Sequence, residues 1–105
     1  MNYISIKTDS DIVNEYLMDN YMIKIKPFMR QNARDDAIKK HWAVLEILDR
    51  IDTFEGSVFE GLTDMSKEFH NYVRISPTPR QVIWFVCACD IIDDCLDVLR
   101  AAKER

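Results

Sequence analysis

Apolar residues recur through most of the chain at the three- and four-residue spacing of amphipathic helices, and only the first few residues alternate. Residues 1–8 alternate weakly through Ile4 and Ile6 and are expected to form an extended or disordered arm. Helix 1 is expected to begin at Asp9 or Ser10, both good capping types, with acidic Asp11 in its first turn. Ile12, Val13, Tyr16, Leu17 and Ile23 share one face at about 100° per residue. Met18, Tyr21, Met22 and Ile25 form a second apolar set on the opposite side. Pro27 drives Lys26 out of the helical region, so this helix is expected to end by about residue 25.

A second helix is expected from somewhere in 28–35 to about Phe54, with Gly56 stopping it. Its apolar face is wide (Ala37, Ile38, Val44, Leu45, Ile47, Leu48, Ile51) and predicts contact with more than one neighbour. A third helix over about 57–74 has one narrow apolar stripe, Val58 to Val73, with Gly61 as a weak point. The fourth has the clearest start. Thr78-Pro79-Arg80-Gln81 places an N-cap Thr, a Pro at the first helical position and a Gln at N3, the elements of a capping box. It is expected to run to about residue 103. Helices joined by short connections predict an all-α, single-domain bundle of about four helices over 9–105.

Composition narrows the function classes. The chain has 105 residues, 48% apolar and 30% charged, which suits one globular domain. Two Gly leave no room for a glycine-rich phosphate loop. Fourteen basic against 18 acidic residues give a net charge of −4, which disfavours a general nucleic-acid or membrane-surface binder. The longest apolar run, Val82–Cys89, is far short of the roughly 20 residues of a membrane span. There is no signal-peptide pattern, and the cysteines, Cys87, Cys89 and Cys95, are odd in number. The expected location is therefore the reducing cytoplasm, with the cysteines as small core residues.

Helix 4 is the informative element. Its second half has a polar face of Asp90, Asp93, Asp94 and Asp97. In its first half Val82, Ile83 and Val86 occupy the angular positions that aspartates take two turns later. A helix apolar on all sides must be covered on all sides. The cover is either the arm 1–8 or a loop, or else a second molecule. The same choice applies to Met18, Tyr21, Met22 and Ile25, which either lie between helices or form a contact patch beside the basic stretch from Lys24 to Arg34. That stretch reads first as a solvated face, so a nucleic-acid partner is not expected.

Two patterns carry chemistry. Asp93-Asp94-Cys95-Leu96-Asp97 resembles in its letters the DDxxD pattern of prenyl-chain synthases and terpene cyclases, where carboxylates hold magnesium against a diphosphate. Acid pairs on two helices also resemble those of small all-α nucleotide pyrophosphohydrolases, with Asp49 and Asp52 as the second pair. Four aspartates over two turns read first as a solvated face, and Asp52 is expected to face the apolar side of helix 2. Arg34 and His41 resemble the Arg–His spacing of HEPN ribonucleases. The structural reading of His41 is a partly buried ring satisfied by a hydrogen bond.

No complete catalytic set stands out, and neither a cofactor nor a metal is expected. The sequence points to a small, acidic, self-associating interaction protein that acts by occluding another macromolecule, as an immunity protein, antitoxin or phage-type inhibitor does. Its candidate contact residues are Met18, Tyr21, Met22, Ile25, Val82, Ile83 and Val86. The alternative is a small helical enzyme, either a HEPN-like ribonuclease using Arg34 and His41 or a magnesium-dependent phosphohydrolase using Asp90, Asp93, Asp94 and Asp97.

Overall fold

The structure is a computed structural model that describes residues 7–103. Most of the expected arm, residues 1–6, lies outside the described residues. Four helices follow in order: α1 (Asp9–Tyr21), α2 (Gln31–Thr53), α3 (Val58–Ile75) and α4 (Pro79–Lys103). There is no strand among the described residues. The bundle expected from apolar spacing is the fold observed.

Capping residues set the helix starts. The cap of α1 is Thr8, one residue before the expected Asp9 or Ser10. Its hydroxyl accepts from the Asp11 backbone N–H at 3.1 Å, and the Asp11 carboxylate accepts from the Thr8 backbone N–H at 3.2 Å. This closes a capping box. Ser57 caps α3 by accepting from the Glu60 N–H at 3.1 Å. Thr78 accepts from the Gln81 N–H at 3.3 Å at the start of α4. α2 starts from Arg30 with no side-chain cap.

α4 is the central strut, and α1, α2 and α3 all pack on it. Its buried residues, Ala88, Cys89, Ile91, Ile92, Cys95, Leu96 and Leu99, all lie in its middle and C-terminal half. They meet Val13 and Leu17 of α1, Val44 and Ile47 of α2, and Leu62, Met65 and Phe69 of α3 in one core. α1 runs antiparallel to α4. Lys103 pairs with Asp9 at 3.7 Å, and the hydroxyl of Tyr21, at the other end of α1, donates to Asp94. α2 and α3 are joined across their faces by Arg50, whose two terminal nitrogens donate to the Glu68 carboxylate at 2.5 and 2.7 Å. Above that pair, Trp42, Phe69, Tyr72, Trp84 and Phe85 form a chain of ring contacts at centroid distances of 5.2–6.2 Å.

Three expectations are corrected. First, α1 ends at Tyr21, within the expected bound but early enough that Ile23 and Ile25, placed on its two faces, are not helical. Its last turn has no basic residue to complement the dipole, and β-branched Ile23 and Ile25 favour extended backbone. The Ile23 carbonyl bonds to His41 instead of joining a helical ladder. Second, the buried stripe of α2 is narrower than expected: Ile38 and Leu45 are exposed, and Ala43 is buried in their stead. Third, Asp52 is exposed and lines a shallow groove with Ser10, Asp11 and Asn14, because the apolar side of the last turn of α2 is taken up by Leu48 and Ile51. Gly61 is no simple weak point. The Phe54 ring lies over it, and a Cβ there would stand 3.2 Å from two ring carbons.

Candidate functional site

The N-terminal half of α4 faces the N-terminal half of α2 across an open cleft. One end, of about 370 Å³, is walled by Val82, Ile83, Val86 and Ile91 of α4, by Lys39 and Lys40 of α2, and by Tyr21. The other end, of about 640 Å³, continues past Ile83 and Trp84 to Ile38, Asn32 and Arg80. Ile83, Asp36 and Lys39 belong to both ends, so the cleft is continuous. All three α4 residues singled out from the sequence line it. Ile83 is 54% exposed, Val86 41%, and Val82 is half-buried.

The cleft lies beside the first half of α4, whose buried residues begin only at Ala88. The aspartate-bearing half of α4 is held by α1 through Tyr21 and Asp94, while α1 ends at Tyr21 and leaves the first half without a neighbour on that side. The start of α1 lies at the Lys103 end of α4, and Ile83 lies about 30 Å away along that helix.

Asp36 bridges Lys40 at 2.8 Å and Lys39 at 3.5 Å. The Lys40 hydrogen bond holds its carboxyl below the usual range. Asp90 stands at the rim. Burial raises the Cys87 thiol, the only cysteine at the cleft among the described residues. Burial pushes Cys89 up to about 11 and Cys95 up to about 12. All three thiols are free and none is an activated nucleophile.

The helix 1 residues separate. Met18 is 47% exposed, whereas Tyr21 and Met22 pack against the core. Ile25 lies beyond the helix in the segment 22–30. Tyr21 is held by its bond to Asp94, and burial, then that bond, raise its phenol well above the ordinary range.

The aspartates of the enzymatic alternative do not gather into a metal-holding group among the described residues. Asp90, Asp93 and Asp97 are exposed along α4, and Asp97 pairs with Arg100 at 3.2 Å. Asp94 is engaged by Tyr21. Among the described residues no group of three His, Cys, Asp or Glu side chains is arranged to hold a metal ion. A carbonyl can only accept, so His41 donates through Nε2 to the Ile23 oxygen at 2.7 Å. Arg34 is half-buried, and its Nε has no partner among the described residues.

Sequence reasoning missed the α2 side of the cleft. Ile38 and Lys39 fell on either side of a face assignment that took all of α2's apolar positions as buried. It also missed Trp42 and Trp84, which with Arg80, Gln81 and Phe85 line an aromatic recess next to the cleft. The pairing of Trp42 with Trp84 depends on helix register across α2 and α4, which spacing within one helix does not carry. No helix of the described residues is long and apolar enough to cross a membrane. Comparison with known proteins finds no matching family model, no matching curated protein and no matching solved structure.

Proposed function

We propose that this protein is a non-enzymatic interaction module that associates through the N-terminal half of α4. It self-associates there, and it acts by binding and occluding another macromolecule in the manner of an immunity protein, antitoxin or phage-type inhibitor. The observation that carries the reading is the uncovered apolar face of α4: Ile83 and Val86 stand in an open cleft at positions where the same helix carries aspartates two turns later. Apolar surface left in water forfeits about 25 cal/mol per Å². An exposed apolar face on a small domain supports reading this end of α4 as a contact site. Three free thiols, two of them buried, fit a reducing cytoplasm.

The test is a pair of substitutions. Ile83→Asp should abolish association while leaving the helical circular dichroism unchanged. Leu45→Asp, at an exposed α2 position outside the cleft, should leave association intact. Equal association in both variants and the unmodified chain would contradict the reading.

A further inference from the structure

The segment from Met22 to Arg30 is not a slack connection. Met22 packs on the core, and the Ile23 carbonyl is held by His41 at 2.7 Å. Met29 is half-buried, and its N–H donates to the Lys26 carbonyl at 3.2 Å. That last bond closes a turn with Pro27 at the position its fixed φ favours, and it places Phe28 at the tip. Phe28 is 99% exposed. A large aromatic ring fully in water on a segment pinned at both ends is costly for a free monomer, and its presentation is preorganised.

Charge and position add to this. The segment carries Lys24, Lys26 and Arg30 and no acidic residue. None of the three makes an ion pair among the described residues. Asp90 at the rim of the cleft and Asp93 one turn on are also exposed without ion pairs among the described residues. The segment starts directly after Tyr21, which itself lines the cleft, so the basic hook and the apolar cleft are neighbours on one side of the molecule.

We infer that the cleft is filled by the Phe28 hook of a second copy of this chain, reciprocally. This rests on the association proposed above and names its occupant. Two neighbouring complementary features on one side satisfy a two-fold axis: each copy's hook enters the other's cleft, and the contact closes as a dimer. A phenyl ring needs about 150 Å³. The end of the cleft at Val82, Ile83 and Val86 offers about 370 Å³. Lys24, Lys26 and Arg30 then face Asp90 and Asp93 of the other copy, which fixes orientation. The net charge of −4 disfavours an anionic membrane as the hook's target.

Sedimentation equilibrium of Phe28→Ala, Ile83→Asp and their equimolar mixture tests the inference. Phe28 touches nothing that folding needs, so Phe28→Ala should keep the native thermal midpoint. Each variant alone should weaken the dimer at least about tenfold. The mixture should associate more tightly than either variant, because an intact hook from one then meets an intact cleft on the other. If Phe28→Ala dimerises like the unmodified chain while Ile83→Asp does not, the hook is overturned and the α4 contact stands. A monomeric unmodified chain at tens of micromolar overturns the hook and self-association together. Loss of binding to phosphatidylserine vesicles in Phe28→Ala, with its mass unchanged, overturns the hook in favour of a membrane surface.

Discussion

The Tyr21 hydroxyl donates to the Asp94 carboxylate, which ties the last residue of α1 to the middle of α4 across 73 residues of sequence. α1 ends at this residue, at the mouth of the cleft, and the 22–30 segment begins directly after it. Tyr21→Phe keeps the ring and removes the bond to a carboxylate, and should cost about 1–2 kcal/mol in urea unfolding. An unchanged midpoint would show that the bond does not hold the two helices.

Tyr21 and Met22 pack on the core. Tyr21→Ala combined with Met22→Ala should therefore lower stability by several kcal/mol. Thermal unfolding is the measurement, and a midpoint within a degree of the unmodified chain would place both residues at the surface.

The Arg50–Glu68 pair gives the bundle an acid-sensitive joint. The Arg50 hydrogen bonds first, and then that of the Tyr72 hydroxyl at 2.6 Å, bring the Glu68 carboxyl down to about 2. A folded value depressed below the unfolded 4.5 stabilises above that pH, and the contribution is lost as pH falls through about 2. The unmodified chain should lose stability from about pH 5 downward, and Glu68→Gln should flatten that slope. Identical midpoint-against-pH curves for the two proteins would contradict the assignment.

Thr78→Ala should cost about 1 kcal/mol, because its hydroxyl accepts from the Gln81 N–H. Gln81→Ala should cost less. The capping bond observed runs through the Gln81 backbone, which that substitution keeps. Equal losses in the two variants, measured by urea unfolding, would mean that the Gln81 side chain contributes as much as the cap itself.

The start of α4 was legible because Thr78 with Pro79 acts through a bond a few residues away. The one-sided stripe of α3 was legible for the same local reason. The end of α1 was not. The apolar spacing continues through Ile25, but the backbone breaks at Met22, where the Ile23 carbonyl is captured by His41 from α2. Val82, Ile83 and Val86 stood out as apolar positions on a helix that is elsewhere aspartate-lined. The opposite wall, Ile38 and Lys39, was hidden, because which edge of a wide apolar face stays wet depends on how α2 sits against α4.

The central claim is that the first half of α4 is an association surface, and the most direct measurement is the solution mass of the unmodified 12.4 kDa chain by sedimentation equilibrium at tens of micromolar. The account predicts twice the chain mass, falling to the single-chain mass in Ile83→Asp with its helical spectrum intact. A single-chain mass for the unmodified protein at that concentration would contradict it.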